Sequence, residues 1–491
     1  MPSGNSRWRE PLQRPKSDMM LSLDDEAASG RNWPHASRMG GAMTTPEVER
    51  LIQRLKDKDA GVRRSAAEAL GRLGPDAKSA VGALARALRD EDKNVVFDAA
   101  FALGRIGAAS VPALVDTLQG SDRSVRRRAI EAIRMIGREA VAAVPVLINE
   151  LKDTAGDIRC HAAEALRKIG KQARQAIPAL VELLKDPKVD VRRAAADALG
   201  DIGADAVPAL CQALRDDDPN VRFDAAFALG KIGKDASSAV PALIDALEND
   251  VENVRFMAAE TLGNIGAAAE VGVPALTKAL KDSDIQVRAA AAKSLGRIGR
   301  VAVPALVSTL RDADARVRRR AVVALGQIGP EARDAVPWLI EALKDDALCT
   351  QAAEALRNIG RDARSAVPAL IEAMKDEKGD VSRVASEALG AIAAEAVPHL
   401  VKALETGNAH TRRRAVAALR TVGPEARAAV GALARALKDE DENIRFTAAE
   451  ALGRIGPDAK SAIPDLSDAL MDEDEDVRYW ATEALWRIRG E

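Results

Sequence analysis

The chain has 491 residues, with 72 basic against 74 acidic side chains, four histidines, three cysteines and 2% aromatic residues. That balance removes any general electrostatic pull toward nucleic acid or an anionic membrane surface, and no run approaches the roughly 18 apolar residues expected of a spanning helix. The N-terminus carries no apolar run of secretory type, so a cytoplasmic, soluble, monomeric protein is expected.

Residues 1–43 are rich in Pro, Gly, Ser, Arg and Met and show no period. Such a composition does not supply a core, and a disordered N-terminal segment is expected there, either a dispensable tail or an over-called start upstream of Met43. From Thr44 to the end, residues 44–491, one phrase returns again and again, most legibly as DENIRFTAAEALGRIG at Asp441 to Gly456. Internal repetition of this length is the signature of an array of small units. Taking the Val or Ile of the phrase as position zero gives Val62, Val95, Val125, Ile158, Val191, Val221, Val254, Val287, Val317, Leu348, Val381, Thr411, Ile444 and Val477, fourteen units in all.

At about 100° per residue, positions zero, four, seven, eight and eleven (Ile444, Ala448, Ala451, Leu452 and Ile455 in unit 13) fall on one face. The phrase is therefore an amphipathic helix, B. Position minus three is Asp or Asn in ten units, where a side-chain oxygen can take the orphan amides of the first turn. Position twelve is Gly in twelve units, which predicts a left-handed C-terminal cap. Ala and Gly at positions five and nine, as at Ala67 and Gly71, leave room for the B helix of the next unit to approach closely.

Between B helices runs Val-Pro-Ala-Leu-x-x-Ala-Leu, as at Val207 to Leu214. Proline in a first helical turn gives up an amide that had no partner, so this phrase starts a second helix, A. A hairpin of two short helices buries too little by itself, and the expected architecture is all-α, a right-handed α-solenoid of about fourteen stacked hairpins. Anchor spacing runs 33, 30, 33 and repeats, the short step following units 2, 5, 8 and 11. Units 10 and 11 break the pattern together: the loop before Leu348 is two residues short, Cys349 and Ser382 stand at position one, Lys378 stands at the cap, and Ala393 replaces the closing Gly.

The phrase Asp-x-x-Val-Arg-x-x-Ala-Ala-x-Ala-Leu-Gly-x-Ile-Gly followed by Val-Pro-Ala-Leu resembles the HEAT repeat, in particular its bilin-lyase-like subtype. The resemblance covers about residues 44 to 491 and implies an armadillo-like superhelix. It also implies that Arg at position one, present in eleven units, pairs with a loop Asp of the neighbouring unit to form a ladder. Val96, Cys349 and Ser382 interrupt that ladder in units 2, 10 and 11.

Enzyme chemistry finds little footing. Deoxyhypusine hydroxylase has similar repeats and is implied by resemblance to use His-Glu pairs for iron, but none of His35, His161, His399 and His410 precedes Glu. Cys160 and His161 are helix neighbours about 100° apart and do not face each other as nucleophile and base would. Cys160, Cys211 and Cys349 lie in separate units and are expected to be free thiols. No catalytic, metal or cofactor residue is assigned and no cofactor is expected; the alternative is a bilin-lyase-like or hydroxylase-like enzyme.

Positions two, three, six and ten of helix B vary between units and are expected to line a concave recognition wall for a protein partner. Phe97 with Phe101, Phe223 with Phe227, and Phe256 and Phe446 put aromatics on that face, either as exposed anchors or as packing between B helices. Tri-arginine starts at Arg126 to Arg128, Arg318 to Arg320 and Arg412 to Arg414 mark a candidate anion-binding strip, with Arg319, Arg320, Arg413 and Arg414 its leading residues. Trp480 in the last unit is a further candidate contact. The expected function is a non-catalytic protein-interaction scaffold.

Overall fold

The structure, a computed structural model, describes residues 45–120, 122–377 and 380–490. The tail expected over 1–43 and the cap substitution at Lys378 lie outside the described residues. Among those residues every regular element is a helix. The chain divides into two compact units, Met1–Ala206 and Val207–Glu491. The first holds the hairpins of repeats 1 to 5, closing with the B helix Val189–Ile202; the second holds repeats 6 to 14, from the A helix Val207–Ala213 to the B helix Glu475–Arg489. Each unit is an α-solenoid, and five hairpins with nine give the fourteen counted from the phrase.

The local rules operate largely as the residues dictate. In nine B helices the side chain of Asp59, Asp92, Asp122, Asp218, Asp284, Asp314, Asn408, Asp441 or Asp474 accepts an amide of the first turn. The tenth candidate, Asp345, instead accepts the Ala347 amide on Oδ1 at 2.9 Å, and the two missing residues delay the helix to Cys349–Ile359. In repeat 13, Ile444, Ala448, Ala451 and Leu452 are fully buried, so the predicted stripe is the core.

The helix ends correct the sequence reading. The closing glycines do have positive φ, but ψ is extended: Gly456 sits at φ 74°, ψ −139°. Only Gly490 adopts the left-handed helical cap among the described residues. The extended ψ turns the chain directly into a short 3-10 connector, seven residues long at Gly456–Ala462, which delivers it to the A helix. After repeats 2, 5, 8 and 11 that connector shrinks, to Gly107–Ser110, Ala204–Ala206, Arg300–Ala302 and Ala393–Ala396. The period of three seen in the spacing is thus a period in connector length.

Consecutive B helices meet along a seam of small residues, as expected. A Cβ added at Gly71 would lie 3.2 Å from Ala102 Cα, and one at Gly453 would lie 3.0 Å from Ala484 Cα. Where a hydroxyl occupies the seam it is satisfied across it: Thr261 Oγ1 donates to Ala226 O at 2.8 Å and Ser294 Oγ to Ala259 O at 2.7 Å.

One expectation from composition is overturned. Lys93–Leu118 and Val381–Thr406 are long and apolar enough to cross a membrane by length and hydropathy. Each is in fact a B helix, a connector and the next A helix, bent at Gly107 or Ala393, and more than half of each apolar window is buried. The apolarity belongs to the hairpin core.

Candidate interaction groove

The frame of the site is the arginine ladder. Arg63 places Nε and Nη2 on the two carboxylate oxygens of Asp90, both at 2.8 Å, while its Nη1 donates to Asp57 O and Lys58 O at 2.9 and 3.0 Å. One guanidinium therefore ties its own loop to the next. The same fork joins Arg255 to Asp282, Arg412 to Asp439 and Arg445 to Asp472. Arg126, Arg159, Arg222 and Arg318 also reach Asp153, Asp186, Asp250 and Asp345. Burial raises the Asp282 carboxyl, but the bonds from Arg255 and the Asp284 amide and the Arg255 charge outweigh it, and the pKa falls below 3.8. The expected break is present at repeat 11: Ser382 is fully buried and its Oγ has no hydrogen-bond partner among the described residues.

A further break occurs where the sequence keeps its arginine. Arg288 anchors Nη1 on Asp282 O and Ser283 O at 2.7 and 2.8 Å, as Arg63 and Arg222 anchor theirs on the equivalent carbonyls, but it makes no carboxylate pair among the described residues. The aspartate of the next loop, Asp312, is held by Lys281 at 2.5 Å instead.

The face beyond the ladder was expected at positions two, three, six and ten. Position ten is exposed in most repeats, whereas position six is buried or half-buried except at Lys293 and Val323, among the described residues. These two lie in adjacent repeats, and between the B helices Ile285–Ile298 and Ala315–Ile328 runs an open groove of about 660 Å³. Arg288, Arg316 and Arg320 line it together with Ile285, 61% exposed, and Val323, 38% exposed. Burial, and then the charges of Arg288 and Arg316, lower the pKa of Arg320 despite the opposing charge of Asp314. Among the described residues its side chain has no hydrogen bond or ion pair, and that of Arg316 has none either.

The other arginine clusters are mostly paired. Arg128 pairs with the buried Glu131 at 2.7 Å, and Arg126 with Asp153 at 2.5 Å. In repeat 12, Arg412 and Arg413 are taken by Asp439 and Asp441, while Arg414 is half-buried with its Nε unbonded. Arg319 is exposed and donates to Ala347 O at 3.0 Å. Of the residues expected to form the anion-binding strip, Arg320 is the one that lines this groove, at repeats 8 and 9, without an ion pair among the described residues.

The expectation of exposed phenylalanine anchors fails at Phe97, which is 6% exposed with the Arg128 guanidinium of the next repeat 5.6 Å from its ring centre. Phe101, Phe223, Phe227, Phe256 and Phe446 are half-buried. Small seam residues bring neighbouring helices close enough to cover these rings. Trp480 is half-buried and stacks edge-on with Tyr479 at 5.4 Å; the exposed aromatics of the last repeat are Tyr479 and Trp486. Cys160, Cys211 and Cys349 are free thiols, and burial followed by nearby carboxylates pushes Cys160 up to about 12. His161 bonds Asp157 O through Nδ1 at 2.6 Å, so it does not serve Cys160 as a base.

By sequence, the profile of HEAT repeats matches residues 48–134, 111–200, 144–217, 207–272, 273–357, 347–420 and 397–486. No curated protein matches the chain. Among solved structures, Kap121p is 13% identical with a TM-score of 0.50, over 91% of this chain, and has also been solved bound to the extreme C-terminus of the protein phosphatase Cdc14p. This chain spans 62% of the Kap121p length. Yeast importin-beta (Kap95p) follows at 13% identity and TM-score 0.45, covering 90% of this chain and 72% of that one. An engineered protein is 24% identical over 91% of this chain and 99% of its own, with a TM-score of 0.24.

Proposed function

Because the chain belongs to the HEAT-repeat family, we propose that it is a non-catalytic scaffold that binds a partner protein along the exposed face of its B helices. The observation that carries this reading is a division of labour within each B helix. Core stripe, seam and ladder positions are spent on holding repeats together, while position ten stays open and changes identity from Arg72 to Asp201, Asn264, Gln327 and Thr421. A repetitive frame with a variable outer face suits recognition spread over several repeats. Kap121p, which shares the fold, binds a peptide end of another protein, which is consistent with this reading. Within the family, the Asp-x-x-Val-Arg phrase favours the bilin-lyase-like subtype of repeat.

Affinity capture from native lysate, with a visible spectrum and metal analysis of the purified chain, tests the proposal. A stoichiometric protein partner on a colourless chain is the expected outcome. Bound iron or a tetrapyrrole, in the absence of any partner, would overturn it in favour of an enzyme.

A further inference from the structure

Resting on the scaffold reading, we propose that the groove between repeats 8 and 9 receives an acidic segment of the partner protein. Carboxylates of that segment meet Arg288, Arg316 and Arg320, and an apolar side chain lies against Ile285 and Val323.

The argument begins with the vacant rung. Arg255 shows what this position does when complete: Nη1 holds the home loop while Nε and Nη2 grip one carboxylate with two bonds of 2.8 Å. Arg288 keeps the first half of this arrangement, at 2.7 and 2.8 Å, and lacks the second. Its guanidinium is therefore fixed by the fold with its carboxylate-binding edge unused. Forked pairing of this kind matches the planar geometry of a carboxylate and is among the stronger hydrogen bonds available.

Asp282, Asp312 and Asp314 line the adjoining cavity with these arginines, yet their side chains form no ion pair with Arg288, Arg316 or Arg320 among the described residues. Asp312 is engaged by Lys281 at 2.5 Å, Asp282 by Arg255 at 2.8 Å, and Glu260 by Lys293 at 3.2 Å and Arg297 at 3.4 Å. Asp314 caps its own helix, with Oδ1 accepting from the Arg316 amide at 2.8 Å. Arg316 and Arg320 add two more cations without partners. Three like charges gathered at a half-buried site repel one another, and an incoming anion relieves that repulsion.

The surroundings favour a peptide over a nucleic acid. A nucleic-acid strand needs a track of phosphate contacts, whereas Arg288, Arg316 and Arg320 meet in a single groove of a chain with net charge −2. Ile285 and Val323 add exposed apolar surface beside them, which suits a segment that mixes acidic and aliphatic residues.

Fluorescence anisotropy at low salt, with a short labelled peptide of repeated Glu-Glu-Leu and an oligothymidylate of equal length, tests the inference on the full chain. The variant is Arg316→Glu with Arg320→Glu, chosen because neither side chain holds another in place; a circular dichroism melt like the wild type's verifies that the stack is intact. The peptide is expected to bind, to weaken with added salt, and to lose at least about tenfold in affinity in the variant. Equal affinity for wild type and variant, no peptide binding, or tighter binding of the oligothymidylate would overturn it. Any of these results removes this groove without touching capture by the whole chain, so the two readings fail separately.

Discussion

Gly456→Ala isolates the strain at a repeat boundary. At φ 74°, ψ −139° an L side chain is disfavoured, and residues held in such regions cost about 1–3 kcal/mol. The added methyl meets no atom within 4 Å, so no packing clash or gain enters. Replacing glycine also restricts the unfolded chain, which returns roughly 0.4–1 kcal/mol. The net effect is a destabilisation of about 1 kcal/mol, or about a fivefold shift in the opening equilibrium. Because repeat arrays open locally, the readout is hydrogen exchange at the Gly456 amide, which closes on Leu452 O. Exchange there is expected to accelerate about fivefold. Unchanged or slower exchange would refute the reasoning, since it would mean that the closing residue carries no conformational cost. Nature has made the same substitution once: Ala393 occupies φ 66°, ψ −125°.

Three other outcomes follow from the same frame. Gly453→Leu forces a side chain toward Ala484 Cα, 3.0 Å from the Cβ position, and should cost about 1–3 kcal/mol in urea denaturation; a variant as stable as wild type would mean the B helices do not meet there. The rungs should fail in acid. The carboxyls of Asp90, Asp186, Asp282 and Asp472 are lowered in the fold because their arginine partners outweigh burial, so their contribution is complete above the unfolded value of about 3.9 and is lost as pH falls from there through the folded values. Stability should be level between pH 6 and 8 and drop below about pH 4; a drop already at pH 6 would point to other groups. Cys160, with its thiol pushed up to about 12, should resist iodoacetamide at pH 8 while the chain is folded; rapid labelling, read by peptide mass, would contradict its burial.

Much of the architecture could be read directly from the residues, because a repeated phrase samples the same physics fourteen times. Apolar spacing defined the stripe, Asp at minus three the start, Pro the A helix, and Ala or Gly at five and nine the seam. What escaped was decided between repeats. The phrase contains Arg288 as it contains Arg255, but in the structure Asp282 pairs with Arg255 whereas Asp312 pairs with Lys281. Phe97 looks the same as an exposed anchor until Arg128 of the next helix covers it. The tri-arginine starts stand out in the sequence, yet the pairing of Arg128, Arg412 and Arg413 with Glu131, Asp439 and Asp441 depends on partners up to 28 residues away. The closing glycine announced positive φ but not its extended ψ, which the 3-10 connector imposes. The apolar runs at Lys93–Leu118 and Val381–Thr406 arise where a short connector joins two core helices with few polar residues between them.

Site-specific photo-crosslinking of the captured partner tests the central claim most directly. The probe is placed at Asn358, position ten of a B helix and exposed, and in parallel at Glu341, on an A helix with 65% of its side chain exposed. The partner is expected to crosslink from Asn358 and not from Glu341. Crosslinking from Glu341 alone would contradict recognition by the B-helix face.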